Sequence, residues 1–346
     1  MFVLAILFLT VMFLYVIYGI VGRKLTIKDL DKKAVLITGC GSGFGRGLVE
    51  RCLQNGLTVF AGCEFESNIE ELERSYSSIS QGRLYAIHMN VTDDDSVQKS
   101  RKFVDSVLQE KNLVFHALIN NAGISGNVFY DDFLVLNDYK EVWDVNMLGA
   151  LRVTRTFRDL IKKFRGRIVM CISAYILFDA PGHGPYSSSK NALHAYATVI
   201  RHELHPYGAD VIEILPGRFK TEMSRNERIF NMIDTVWHRA PKEMCDEYGK
   251  DFKDKAKTYV KELNAKTTEK DVTWVIDAYY EAIVAKRPKI LYRIGWDSLI
   301  LYYPYSLLPV RLQLYVMKMV LYLSGAPLPM VLEQITRFQN TECKTD

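Results

Sequence analysis

"AVLITGCGSGFGRGLVERCLQNG", residues 34–56, joins an apolar run to an amphipathic one through a turn made almost entirely of backbone. Strand, glycine turn and helix start, in that order, suggest a phosphate cradle. Glycines let the main chain approach an anion closely, and the unpaired N–H groups and positive dipole end of the following helix point at it. An ordinary tight turn has the same composition, so the rest of the chain has to decide.

The chain has 346 residues, 49% of them hydrophobic and 24% charged, which is enough to bury a large core and excludes disorder. A net charge of +4 is too mild and too scattered for a nucleic-acid partner. The six cysteines (Cys40, Cys52, Cys63, Cys171, Cys245 and Cys343) show no CxxC pair or metal spacing and read as reduced. "HELH" at 202–205 lacks the i, i+4 histidine pair of a helical metal site, so no metal is expected.

Residues 2–22, "FVLAILFLTVMFLYVIYGIVG", hold no charge. As a helix they would span about 31 Å, against a hydrocarbon core of about 30 Å. The run lacks the basic n-region, short core and cleavage site of a signal peptide, and reads as a single-pass anchor. Arg23, Lys24, Lys28, Lys32 and Lys33 all follow it, which by charge asymmetry places the large domain on the cytosolic side of the membrane, expected to be that of the endoplasmic reticulum. The reduced cysteines agree, whereas the sequon at 90–92 would invite glycosylation in a lumen.

After a linker over 23–32, apolar runs at 34–38, 57–63, 84–91, 115–121, 166–173 and 210–215 alternate with helix-like stretches, and a seventh run near 289 is a further candidate strand. This alternation predicts a parallel sheet covered on both faces, an α/β doubly wound sheet of Rossmann type over 33–296, with ligands at the carboxyl ends of the strands. The polar helical segment from Glu222 to Asn264 carries Phe230, Met232, Ile233, Val236 and Trp237 at helical spacing, as a lid would. An apolar extension with a polar tail fills 297–346. Within it, residues 298–329 are broken by Pro304, Pro309, Arg311 and Lys318, which fits an interfacial or a core-packed element better than a spanning one.

Four further signals follow the glycine turn: "NNAG" at 120–123, "VNMLG" at 145–149, Ser173, and "YSSSK" at 186–190, the serine standing thirteen residues before the tyrosine. With Pro216, Gly217 and Thr221 as P-G-x-x-x-T, the chain resembles the short-chain dehydrogenase/reductase family over roughly residues 30–295. The resemblance implies an oxidoreductase that moves a hydride between a nicotinamide cofactor and an alcohol or ketone, with Asn146, Ser173, Tyr186 and Lys190 as catalytic tetrad. The chemistry is consistent residue by residue. A phenol with an ordinary pKa near 10 is a poor base at neutral pH, and a lysine four residues on, on the same helix face, can lower it. Ser173 would hold the substrate oxygen, and Asn146 a water that links the lysine to solvent.

The resemblance assigns the cofactor to Gly39, Ser42, Gly43, Phe44 and Gly45 at the pyrophosphate, with Asn90 and Val91 beside the adenine. It places Asn120, Ala122, Gly123, Tyr186 and Lys190 along the cleft and Pro216, Gly217 and Thr221 over the nicotinamide. Glu64, after the second strand, would bond the adenosine ribose and repel a 2′-phosphate, so NAD is expected over NADP. Arg46, just inside the helix, reads as outward-facing. The chain is similar to the membrane-bound branch with retinol dehydrogenases, oxidative hydroxysteroid dehydrogenases and 3-hydroxybutyrate dehydrogenase. The apolar residues after "NNAG" (Phe129, Tyr130) and after Ser173 (Tyr175, Ile176, Leu177, Phe178) favour a lipophilic alcohol, steroid or retinoid, over a hydroxy acid, for which no arginine is singled out as the carboxylate partner. The partners expected are therefore that small molecule and a membrane, and a homo-oligomer is compatible with the sequence. The intact tetrad argues against a catalytically silent scaffold.

Overall fold

The computed structural model describes residues 21–329 and, ahead of them, residues 6, 10–13, 18 and 19. The expected anchor falls largely, and the tail from 330 wholly, outside the described residues. Among the described residues no helix is long and apolar enough to cross a membrane.

Strands β1 (Lys33–Thr38), β2 (Thr58–Cys63), β3 (Leu84–His88), β4 (Val114–Asn120), β5 (Arg167–Cys171), β6 (Asp210–Pro216) and β7 (Leu291–Ile294) form one sheet. Their order is β3-β2-β1-β4-β5-β6-β7, and every pairing is parallel. Strand periodicity sends alternate side chains to opposite faces, so Val35 and Ile37 enter one apolar core while Ala34 and Leu36 enter the other. Helices Gly43–Gln54, Glu66–Ser80 and Thr273–Val284 cover the first face, and Asp94–Glu110, Ala150–Phe164 and Gly184–Leu204 the second. The order reverses between β1 and β4. That is the switch point of a doubly wound sheet, where a crevice opens at the strand ends.

The segment after Thr221 folds as helices Asn226–Arg239, Lys242–Tyr248 and Phe252–Thr267. Ile233, Val236, Tyr248 and Phe252 pack with Phe129 and Phe133 from the loop after β4, forming a separate aromatic core. Phe129 is one of its central rings, within 4.7 Å of Phe133 and 5.9 Å of Phe252. The expectation that it lines the substrate pocket is therefore corrected: it holds the lid.

A buried carboxylate ties the lid to the body. Asp138, 3% exposed, accepts from the Val135 amide at 2.8 Å, from Asn127 Nδ2 at 2.7 Å and from both terminal nitrogens of Arg239. Burial works against its charge, but Arg239, the Val135 amide and Asn127 outweigh it and hold the carboxyl below its usual range. A depressed folded pKa means stability that is complete above the ordinary aspartate value and lost as pH falls through the folded one. Asp138→Ala should cost about 3 kcal/mol in urea unfolding, because it strands the Arg239 cation. It should also remove the Asp138 share of the acid-side loss, leaving that of Asp159 and Asp234; a variant as stable as wild type at pH 7 would contradict this.

The apolar extension makes the turn Asp297–Tyr302, a short helix Tyr303–Ser306 and the helix Val310–Ser324. One edge packs on the core, with Met317, Val320 and Tyr305 against Ala174, Phe178 and Tyr302. The other edge is bare: Val310, Leu314, Tyr315, Tyr322 and Leu323 are each at least 67% exposed. The core-packed reading thus holds for one face of this element, and the other face is exposed.

Candidate functional site

The glycine turn is shaped by approach as well as by conformation. Gly39 and Gly43 have φ of +71° and +59°, the left-handed region. A Cβ on Gly39 would sit 2.7 Å from the Ala122 Cα, and one on Gly45 2.5 Å from the Gly39 carbonyl oxygen. The turn is braced from β4. Thr38 Oγ1 accepts from the amides of Asn121 and Ala122, both at 3.0 Å, and Asn121 Nδ2 donates to the carbonyls of Thr38 at 2.9 Å and Gly39 at 3.1 Å. Tyr279, fully buried, donates to Asn121 Oδ1 at 3.2 Å and fixes that amide.

Ser42 stands at the helix N-cap in extended conformation without using its hydroxyl as the cap. Thr221 lies over Gly43, its Cγ2 3.7 Å from where a Cβ would be, and Phe44 meets Phe219 edge-on at 6.1 Å. The loop after Pro216 therefore closes over the turn. A glycine turn whose added Cβ atoms would meet neighbouring atoms, ending in a helix N-terminus, fits the pyrophosphate of a dinucleotide.

Three expected cofactor contacts are placed differently. Asn120, 3% exposed, donates from Nδ2 to Thr154 Oγ1 at 2.9 Å and lies 3.4 Å from Met170 Sδ, so its side chain belongs to the core. The second asparagine of the motif, not the first, reaches the cleft. Asn90 Oδ1 accepts from the Thr92 amide at 2.9 Å and the Thr92 hydroxyl at 2.8 Å, which turns the oxygen expected at adenine into its own loop. Val91 is buried, its Cγ2 2.8 Å from where a Cβ on Gly149 would be. Glu64 is exposed one residue past the end of β2. Arg46 pairs with Glu71 at 2.8 Å and Ser75 at 3.0 Å, facing the next helix.

The other motif residues meet around the ends of β4 and β5. Tyr186 and Lys190 lie one turn apart in helix Gly184–Leu204, the ammonium 5.8 Å from the phenol ring centroid. Lys190 Nζ donates to the Cys171 carbonyl at 2.8 Å. Ser173 stands two residues past the end of β5, its hydroxyl accepting from the Tyr175 amide at 3.2 Å and lying near enough to the Tyr186 phenol to oppose the rise of its pKa. Asn146 lies in a π-helical stretch, Asp144–Gly149, a form enriched at functional sites. Its Oδ1 accepts from the Ile124 amide at 2.8 Å, and its Nδ2 donates to the Ile124 carbonyl at 2.9 Å and Ser189 Oγ at 3.0 Å. Gly123 leaves the gap between Asn146 and Lys190: a Cβ there would be 3.2 Å from Asn146 Oδ1 and 3.4 Å from Lys190 Nζ.

A family described as short chain dehydrogenase matches residues 33–231. The chain belongs to that family. Its relatives include the human "Retinol dehydrogenase 16", 33% identical over 84% of this chain and 89% of the other. The Caenorhabditis elegans "3beta-hydroxysteroid dehydrogenase dhs-16" is 34% identical over 81% and 73%. The rat mitochondrial "D-beta-hydroxybutyrate dehydrogenase" is 34% identical over 75% and 76%. Among solved structures, a short chain dehydrogenase/reductase from Burkholderia phymatum in complex with NAD shares the fold, with a TM-score of 0.61 and 23% identity over 77% of this chain and 90% of that one. A Burkholderia cenocepacia short chain dehydrogenase in complex with NADP does so with a TM-score of 0.60 and 21% identity over 82% and 96%. This chain is an NAD(P)-dependent short-chain oxidoreductase.

The electrostatics of the dehydrogenase site qualify one expectation. Burial pushes the Tyr186 phenol up, with Cys171 and Tyr175 adding to it and Ser173 opposing, while burial pulls the Lys190 ammonium down. Desolvation works against the lysine's charge, and its reach to the Cys171 carbonyl holds it beside the ring rather than at the phenol oxygen. Behind Ser173, Tyr175 packs edge-on to Tyr186 at 5.9 Å, and Phe178 stacks on Tyr302 at 4.7 Å. The wall is aromatic, but it is not wholly apolar: the Tyr175 hydroxyl accepts from the Arg218 guanidinium at 3.1 Å. An open cleft between Asn127 and the lid has a charged lining that the sequence reading missed, including Glu222, Arg225, Glu227 and Arg228.

Proposed function

We propose that this dehydrogenase oxidises a lipophilic alcohol of the steroid or retinoid class, prefers NAD, and works at a membrane surface to which residues 2–22 anchor it. The observation that carries the reading is the helix Val310–Ser324, which packs behind Ser173 through Phe178 and Tyr302 while its outer face stays apolar and bare. A substrate dissolved in lipid suits such a doorway. Two of the relatives named above carry retinol or hydroxysteroid in their names.

Tyr186 would take the hydroxyl proton, Ser173 would hold the substrate oxygen, and Lys190 would favour the phenolate. Asn146 would keep the π-helical turn and the Ile124 loop in register. A nicotinamide dinucleotide, held by Gly39, Ser42, Gly43 and Gly45 under Pro216, Gly217 and Thr221, supplies the hydride acceptor. The test is a panel of steroid and retinoid alcohols with NAD and with NADP, read by nicotinamide fluorescence and product mass. No turnover of any lipid alcohol would defeat the reading.

Glu64, exposed at the end of β2, supports NAD, and Arg46 is already engaged by Glu71 and Ser75. NAD should be favoured at least about tenfold in kcat/KM, about 1.4 kcal/mol. Glu64→Ala with Phe65→Arg should shift the ratio towards NADP; a wild type that uses NADP as well as NAD would refute the assignment.

Removing residues 1–22 should leave a carbonate-sensitive attachment through Val310–Ser324, seen by flotation with vesicles. A truncation that stays wholly in the soluble fraction would remove the interfacial role. Protease protection in sealed vesicles tests the cytosolic orientation, which a protected catalytic domain would overturn.

A further inference from the structure

Helix Thr273–Val284 lies wholly beyond residue 231, where the family match ends, yet it reaches the glycine turn by three routes. Ile276 fills the space that a Cβ on Gly47 would need, and Asp277 accepts from Arg51, so the helix is held against Gly43–Gln54. Trp274 meets Phe219 edge-on at 6.4 Å, and Phe219 meets Phe44 at 6.1 Å, which ties the same helix to the loop that closes over the turn. Tyr279 makes the third tie. Its ring is fully buried in the core, and its hydroxyl donates to Asn121 Oδ1 at 3.2 Å.

That bond decides which way the Asn121 amide faces. A primary amide presents donors at one end and an acceptor at the other. With Oδ1 held by the phenol, Nδ2 faces the carbonyls of Thr38 at 2.9 Å and Gly39 at 3.1 Å. The reversed amide would set an oxygen against both carbonyls. Nδ2 also lies 2.5 Å from where a Cβ on Gly45 would be, so the amide sits against the first and the last glycine of the turn together. Among the described residues Tyr279 is the only partner of Oδ1.

We propose that Tyr279 is a positioning residue for the dinucleotide: acting through Asn121, it keeps the glycine turn in the form that accepts the pyrophosphate before the cofactor arrives. This rests on the turn being the cofactor cradle. Gly39 and Gly43 hold left-handed φ values, and a residue without Cβ leaves that conformation at little cost. A brace that confines the turn raises the fraction of molecules ready to bind, and the apparent Kd falls in proportion to that fraction. The Tyr279 hydroxyl bonds the brace of the turn and no member of the tetrad, so its effect belongs to binding and not to hydride or proton transfer.

The test is Tyr279→Phe in the full-length enzyme, which keeps the buried ring and removes only the donor. Kd for NADH and for NADPH, by fluorescence titration, should each rise about tenfold. With all-trans-retinol as the alcohol, KM for the oxidised dinucleotide should rise by the same factor, while kcat at saturating dinucleotide stays within about twofold. A purely structural phenol would lower the melting temperature and leave these constants alone, so unchanged affinity in the folded variant overturns the proposal. The titration needs no turnover and stands whichever alcohol the enzyme oxidises.

Asn121→Ala supplies the second variant. It should weaken NADH binding by about tenfold or more, and Tyr279→Phe added to it should cost nothing further. Factors that multiply in the double variant would mean that Tyr279 acts by another route, which overturns the proposal, as would wild-type affinity in Asn121→Ala. Gly39→Ala separates this proposal from the reading beneath it. Weakened binding there beside unchanged binding in Tyr279→Phe removes the brace and keeps the cradle, whereas wild-type binding in both removes the cradle itself.

Discussion

Tyr186→Phe is expected to lower kcat by about 100-fold or more while dinucleotide affinity stays within a few-fold, because a positioned acid–base group contributes on that scale and the proposed role of the phenol is on the substrate. The phenyl ring keeps the edge-on contact with Tyr175, so packing changes little. Lys190→Ala should damage both turnover and cofactor affinity, and it would also empty the Cys171 carbonyl of its donor. Burial raises the phenol, so oxidation should climb with pH on the alkaline side, and that limb should vanish in Tyr186→Phe. Steady-state kinetics and a fluorescence titration with NADH measure the two effects separately. A variant with more than about a tenth of wild-type activity would remove Tyr186 from the base position.

Gly39→Ala should weaken dinucleotide binding by about tenfold or more and destabilise the fold by about 2 kcal/mol. The left-handed backbone alone costs an L-residue roughly 1–2 kcal/mol. The added Cβ would lie 2.7 Å from the Ala122 Cα and push the Asn121 loop off the turn it braces. Gly56→Ala is the control. Its φ of +85° carries the same backbone penalty, but nothing lies within 4 Å of the new methyl, so it should lose stability and keep NADH affinity. Wild-type affinity in Gly39→Ala would show that the turn does not form the cradle.

Much of the site is legible because its spacing is local. Tyr186 and Lys190 must share a helix face, and Gly39, Gly43 and Gly45 must share a turn, so chain position alone places them. Ser173 is legible as a motif position, but its two-residue offset from β5 and its capping role are not. Asn120 and Asn121 show the limit: they are identical in the sequence, and strand alternation sends the first into the core and the second to the glycine turn. Asn90 fails for a similar reason, since its short side chain prefers its own loop's amide and hydroxyl to a distant ligand.

The sequence by itself determined the parallel sheet and the positions of Asn146, Ser173, Tyr186 and Lys190 about its carboxyl edge, because hydrophobic period, glycine conformation and helix spacing act within a few residues. Tertiary structure decided which polar groups face that site. Tyr279 reaches Asn121 across 158 positions, Arg218 reaches Tyr175 across 43, and Asp138 meets Arg239 across 101. Such pairs leave no periodic mark in a chain, since each depends on two elements being brought together by the burial of other residues.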